Sequence, residues 1–208
     1  MTKYWTLLGP DFSGKSTLLA RLRAEHGWQV VSHDAPYLAE HPLIAKLKRS
    51  WIDDGLRWTG TRYTPELVLS VMHTVVLYLR DEIERQTGDT PVIVDSFYYK
   101  QLAACALLGA GHEPTFAYWR TFPQPQGVLY LDVPPEVTWE RTDRGAEANA
   151  YECYGDGVNR EGFLRLQTDL RARMLAEVAD LSVTMIDGTA TQDEVLAKVV
   201  AAVGESPC

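Results

Sequence analysis

Eight consecutive residues carry the clearest chemistry in this sequence. Gly9-Pro10-Asp11-Phe12-Ser13-Gly14-Lys15-Ser16 fits G-x-x-x-x-G-K-[ST]. Glycine at both ends lets the backbone take conformations closed to other residues, so that successive N–H groups turn inward on an anion. A helix beginning at Lys15 adds the partial positive charge of its N-terminus. Such a loop cradles the phosphates of a nucleoside triphosphate, with Gly9, Ser13, Gly14, Lys15, Ser16 and Thr17 as binding residues. Lys15 reaches the β- and γ-phosphates and the Ser16 hydroxyl ligates Mg²⁺, so the implied cofactors are ATP and Mg²⁺. Asp95 closes the apolar run Pro91–Val94 and supplies a carboxylate at the carboxyl edge of a sheet, where open α/β folds bind ligands. It is the candidate acidic partner of Ser16 on the metal, directly or through water. The plain alternative is a helix cap.

The elements around these residues follow from hydrophobic patterning. Lys3–Leu8 reads as a short buried strand, and a helix from Lys15 carries Leu18, Leu19 and Leu22 on one face before Gly27. Trp28–Ser32 reads as a second strand, and Tyr37–Trp51 as helical. A Gly- and Trp-rich connection (Gly55, Trp58, Gly60) then leads to a cap at Thr64-Pro65. The helix it opens is given an apolar stripe of Leu67, Val71, Val75, Tyr78, Leu79 and Ile83. Pro91–Asp95 is β-branched without alternation, as in a strand covered on both faces. Helix over Phe97–Leu108, strand over Val128–Asp132 and helix from Pro135 follow. Residues 143–159 are polar and non-periodic, hence a loop or lid; helix over Glu161–Ala179, strand over Ser182–Ile186 and helix over Gln192–Val203 complete the chain. Strands alternating with helices predict an α/β fold of three α/β/α layers around a parallel sheet of about five strands. The 208 residues suit one domain, 1–208, with the lid at about 143–159.

Composition excludes several classes. With 46% hydrophobic and 23% charged residues the chain can bury a core, and no apolar run reaches the roughly 20 residues of a membrane span. No secretory signal is read at the start, and the widely spaced Cys105, Cys153 and Cys208 suit a reducing cytoplasm, so a cytoplasmic protein is expected. A net charge of −8 lacks the attraction that drives nonspecific binding to nucleic acid or anionic membrane. The expected partner is a small-molecule phosphoryl acceptor, with a homodimer left open.

Phosphate loops serve switches, motors and kinases. A guanine-nucleotide switch calls for Asn-Lys-x-Asp, but neither Asn149 nor Asn159 is followed by lysine. Motor ATPases need a longer chain. A small-molecule or nucleotide kinase fits.

Beyond the loop, three further features resemble the thymidylate kinase-like members of the nucleoside monophosphate kinases. Asp11 stands two residues after the first loop glycine; Leu131-Asp132-Val133-Pro134-Pro135-Glu136-Val137 is followed by Glu140-Arg141; and Ile186-Asp187-Gly188-Thr189-Ala190 precedes the last helix. The resemblance implies that the segment Asp187, Thr189 and Ala190 holds adenine, and that Arg141 and Arg144 clamp the migrating phosphoryl group. Phe12 stands where some members place a loop arginine, which leaves that cation to the lid.

The acceptor side departs from the family. Its strand-three Asp is usually followed by Arg, whereas here Asp95-Ser96-Phe97-Tyr98-Tyr99-Lys100 follows, with Lys100 one turn on as a replacement cation. The base-reading arginine position falls near Thr74, beside His73, and Glu-Pro after strand two becomes Asp34-Ala35-Pro36-Tyr37. Asp11, Asp34, Tyr37, His73, Tyr98, Tyr99 and Lys100 are therefore the candidate acceptor contacts, with Asp11 able to hold or deprotonate a hydroxyl. Aromatics such as Trp51, Trp58 and Tyr151 are more simply read as core. The sequence thus predicts an ATP-dependent kinase whose acceptor is a nucleoside monophosphate or a modified relative. The alternatives are a hydroxyl of a nucleoside or other metabolite, and a nucleotide-binding regulator without turnover.

Overall fold

The computed structural model describes residues 3–50, 62–155 and 157–204. Five strands, β1 (Tyr4–Leu8), β2 (Gln29–Val31), β3 (Val92–Asp95), β4 (Gly127–Asp132) and β5 (Val183–Asp187), form one parallel sheet in the order β2-β3-β1-β4-β5. Register runs Tyr4 to Val92, Trp5 to Gly127, Gln29 to Val92 and Val128 to Val183. Alternation along each strand then splits the core in two. Tyr4, Leu8, Val92, Val94, Val128 and Tyr130 face one layer, while Leu7, Ile93, Leu129, Leu131 and Ile186 face the other.

The first layer is filled by α3 (Pro65–Arg85), α4 (Tyr99–Leu107), α5 (Glu113–Trp119) and α7 (Arg160–Glu177). The second is filled by α1 (Lys15–His26) and α8 (Gln192–Gly204). Two shorter helices, α2 (Pro42–Ser50) and α6 (Pro135–Arg141), complete the set. The predicted three-layer α/β fold with five parallel strands is the observed one. No described helix is long and apolar enough to cross a membrane.

Local chemistry accounts for the boundaries. The Thr64 side chain accepts from Leu67 N at 3.2 Å and Pro65 takes the first turn of α3, where a missing N–H costs nothing. Four differences from the sequence reading have physical causes. The stripe of α3 is rotated: Val68, Leu69, Met72, Val75, Val76, Leu79 and Ile83 are buried, while Leu67 is 51% exposed. Helix α4 starts at Tyr99, because Ser96 and Phe97 lie in the left-handed region at φ 58 and 43. Residues 37–41 are not α-helical; a 3-10 turn over Ala35–Tyr37 precedes α2. Helix α5 is not expected from the sequence pattern; Pro114 stands in its first turn, and Phe116 and Trp119, three apart, are buried. The Gly- and Trp-rich connection, with Trp51 and Trp58, lies outside the described residues.

Leu79 is fully buried at the centre of α3 against the sheet. Leu79→Ala should cost about 2–5 kcal/mol, read as a lower denaturant midpoint at unchanged slope. A loss under about 0.5 kcal/mol would contradict this packing, since that is the range of an exposed site.

Candidate active site

The carboxyl ends of β1, β2 and β3 open together into one cavity of about 1140 Å³. The loop after β1 forms its floor, and its walls include His33, Asp34, Lys48, Asp95, Ser96, Lys100, Gln101 and Glu152. Two backbone features hold this geometry. A Cβ on Gly9 (φ +152) would stand 2.8 Å from Leu131 O, so only glycine lets the loop leave β1 against β4. At the end of β3 the left-handed Ser96 is pinned by its N–H donating to Leu7 O at 3.0 Å. Strain of that kind persists only where the surroundings impose it.

Inside the cavity, cations alternate with carboxylates. Lys15 Nζ donates to Gly9 O (3.1 Å), Pro10 O (2.6 Å) and Ser13 Oγ (3.3 Å), and so lies folded over its own loop. Burial, reinforced by the positive Lys100, lowers its pKa to about 8. Lys100 Nζ donates to Asp11 Oδ1, closing an ion pair from the loop to α4. Burial opposes ionisation of Asp11, but Lys100 and Lys15 together hold its carboxyl below the usual range. Gln167 of α7 fixes the loop there, its Oε1 accepting from Asp11 N at 3.3 Å.

A second cluster joins β2 to the start of α1. Asp34 Oδ1 accepts from Lys48 Nζ at 2.7 Å, and Oδ2 accepts from Ser16 Oγ at 3.3 Å. Burial pushes Asp34 up, yet Lys48 outweighs it and the carboxyl stays low. Asp95 is buried, with Oδ2 taking a hydrogen bond from Ser32 Oγ at 3.0 Å and Oδ1 one from Ser96 Oγ at 2.9 Å. Ser32 Oγ also accepts from Asp34 N at 3.1 Å, which links the two acids.

Arg141 separates this cavity from a smaller slot of about 250 Å³. Its guanidinium donates to Phe12 O (3.3 Å), Ser13 O (3.2 Å) and Gly188 O (3.0 Å), tying the loop to the turn after β5. Leu18, Leu131, Gly188, Ala190 and Val195 line the slot. A Cβ on Gly188 would come within 2.4 Å of Val133 Cγ2, so the turn can lie this close only with glycine. Asp187 is exposed and closes the turn by accepting from Thr189 N (2.9 Å) and Thr189 Oγ1 (2.6 Å). Asp132 of the Leu131–Val137 segment holds Arg171 of α7 through two bonds of 2.7 Å.

The structure therefore brings Asp11, Ser13, Gly14, Lys15, Ser16, Thr17, Asp34, Asp95, Lys100 and Arg141 around one cavity, and places Ala190 in the slot. Other sequence candidates lie elsewhere. Tyr98 and Tyr99 are core residues, buried among Phe97, Trp119 and Phe122, with their hydroxyls on Gln124. His73 accepts from Trp119 Nε1 at 2.8 Å and packs on that ring, outside the cavity. Tyr37 sits under Arg23 and also lines neither space. Arg144 pairs with Glu140 at 3.0 Å on the surface. For these five residues the core with Gln124, a buried indole, an arginine or a nearby acid satisfies the side chain before the cavity can.

Sequence reasoning missed three cavity residues. Lys48 answers to Asp34 across a turn whose path the sequence does not reveal. Gln101 had a signal: with Lys100 it is one of only two long polar residues in an otherwise apolar α4. Glu152 lies in a 3-10 turn (Ala150–Glu152) closed by a capping box, in which Glu152 Oε2 accepts from Asn149 N at 3.0 Å. The segment around it packs through buried Cys153 against Trp139 and Phe163, with Phe12 alongside.

Comparison with known proteins supplies the fold. No protein-family model matches the sequence, and no curated protein does. Among solved structures, one of deoxyadenosine kinase from M. mycoides with products dCMP and a flexible dCDP bound is similar at a TM-score of 0.65 and 12% identity. The match covers 97% of this chain and 98% of that one. A second structure of that kinase, with bound dATP, is similar at 0.61 and 13% identity, over 99% and 100%. The likeness is one of fold, over nearly the full length of both chains.

Glu152 gives a pH test of the site. Burial and the negative charge of Asp11 push its carboxyl from 4.5 to about 7, with the Asn149 N–H offsetting only part of this. A carboxyl raised on folding binds protons more tightly in the folded state, so its contribution is full below pH 4.5 and is lost as pH rises towards 7. Between pH 5 and 7.5, Glu152→Gln should flatten the fall in unfolding free energy measured with denaturant. Parallel wild-type and variant curves would contradict the placement of Glu152 beside Asp11.

Proposed function

We propose that this chain is an ATP-dependent P-loop kinase, one domain spanning 1–208 with residues 143–159 as its lid. Its acceptor is an unphosphorylated hydroxyl on a nucleoside or a closely similar small molecule. One observation carries the choice of acceptor. Among the described cavity residues each lysine already has a partner, Lys100 on Asp11, Lys48 on Asp34 and Lys15 on its own loop, and the Arg141 fork is engaged on the donor side, between cavity and slot, by Phe12 O, Ser13 O and Gly188 O. A phosphate on the acceptor would need a free cation or fork there. A hydroxyl needs only a hydrogen-bond acceptor such as Asp11. The fold shared with chains named deoxyadenosine kinases supports the same reading.

The roles follow from position. The loop amides and Lys15 receive the β- and γ-phosphates, Lys15 exchanging its carbonyl partners for phosphate oxygens. Adenine enters the slot beside Ala190, and Arg141, between slot and cavity, holds the loop where charge spreads during transfer. Ser16 Oγ and Asp34 Oδ2 offer two hard oxygens at one spot, and Asp95 lies behind them with both oxygens on serines. That set fits Mg²⁺, which takes one or two carboxylates and completes its shell with phosphates and water. When bound there, the ion would neutralise the bridging phosphate oxygens. Asp11 orients the acceptor hydroxyl and takes its proton as that oxygen bonds to the γ-phosphorus and the bond to the β-phosphate oxygen breaks.

The thymidylate kinase-like reading, with a nucleoside monophosphate as acceptor, draws on Asp11, on the Leu131–Val137 segment with Glu140-Arg141 and on Ile186–Ala190. Here Asp132 of Leu131–Val137 anchors α7 rather than lining the acceptor cavity.

Coupled ADP release across a panel of acceptors tests the proposal. Turnover with nucleosides at least about tenfold above that with their 5′-monophosphates is expected, the smallest gap that loss of one charged contact would give. Turnover confined to monophosphates would restore the thymidylate kinase-like reading, and ATP binding without transfer to any acceptor would make the chain a regulator.

A further inference from the structure

One buried side chain in the acceptor half of the cavity has incomplete hydrogen bonding. Gln101 is 9% exposed, lines the cavity and leaves Oε1 without a partner. Its Nε2 stands 2.9 Å from His33 Nε2. An amide nitrogen can only donate, so His33 Nε2 accepts and the imidazole carries its proton on Nδ1. Nδ1 has no hydrogen-bond partner of its own, but Asp34 Oδ1, at 3.9 Å, lies near enough to favour that tautomer. With the proton held on Nδ1 beside the Asp34 carboxylate, Nε2 can only accept, so it faces the amide NH₂ and the Gln101 carbonyl is the end left free.

The surroundings narrow what that carbonyl could meet. Val68, Met72, Ala104, Cys105 and Leu108 line the same cavity. An apolar wall with one convergent polar atom suits the flat face of a heteroaromatic ring whose edge bears a donor. A charged group would find no counter-ion on that wall, and a purely aliphatic one would leave the Gln101 carbonyl buried and unpaired.

We infer that Gln101 sets acceptor specificity by taking an N–H bond from an amino-substituted nucleobase, with His33 as the positioning residue that holds its amide. This rests on the reading of the cavity as a nucleoside site. Asp11 and the loop govern transfer itself, whereas Gln101 governs which ring is seated for it.

The test pairs acceptors that differ by one amino group: 2′-deoxyadenosine against the purine deoxyriboside lacking the 6-amino group, and 2′-deoxycytidine against its analogue lacking the 4-amino group. For wild type, loss of the amine should raise acceptor KM about 10- to 100-fold, with kcat and the KM for ATP little changed, because a buried acceptor atom is left unpaired. In Gln101→Leu that ratio should fall to near one, and in His33→Ala it should fall part of the way. Retained KM for ATP shows that either variant is folded, and the wild-type comparison needs no variant at all. Equal KM values for both members of each pair in wild type would overturn the inference, as would full discrimination persisting in Gln101→Leu. If wild type binds ATP yet phosphorylates no nucleoside, the kinase reading of the cavity falls first and this inference with it.

Discussion

Parallel pairing of β1 with β3 and of β3 with β2 is the constraint behind the site. Because all three strands run the same way in fixed register, their carboxyl ends deliver the loop at Gly9, Asp34 and Asp95 to one edge. Antiparallel pairing would send one of these groups to the opposite end of the sheet. The approach of the loop, Asp34 and Asp95 to one another descends from that register, and the helices and turns around them complete the crowding of charge there. Asp11, Asp34, Asp95 and Glu152 share one space with Lys15, Lys48 and Lys100.

Such crowding is stable only when it is balanced. Removing one partner from such a half-buried pair leaves an uncompensated charge, which costs more than the pair itself contributes. The pairs Lys100–Asp11 and Lys48–Asp34 therefore do two things at once. They let two lysines lie against an apolar-walled cavity, and they remove those lysines from the cations available to an incoming phosphate. Lys15 is held differently, by neutral carbonyls of its own loop, which a triphosphate can displace without stranding a carboxylate. Donor and acceptor halves thus differ in electrostatic character although they share one cavity.

Much of this was legible in the sequence, for identifiable reasons. Local chemistry reports itself: the loop glycines, the Thr64-Pro65 cap and the unalternating Val92–Asp95 run depend on near neighbours and were read correctly. The five-stranded parallel sheet followed from the alternation of elements. What the sequence concealed was pairing at long range. Tyr98 and Tyr99 look like site residues because they follow Asp95 closely, but the left-handed turn at Ser96 and Phe97 swings them into the core. His73 is claimed by Trp119, 46 positions away. Gln101 reaches His33 across 68 positions, and Lys48 reaches Asp34 around a 3-10 turn that periodicity does not register.

The account stands on the loop after β1 being a polyphosphate cradle, and calorimetric titration with MgATP measures that directly. Wild-type protein should give saturable heat at one site per chain, and Lys15→Ala should lose most of it while keeping its circular dichroism. Absence of any saturable heat from the folded wild-type protein would contradict the account at its base.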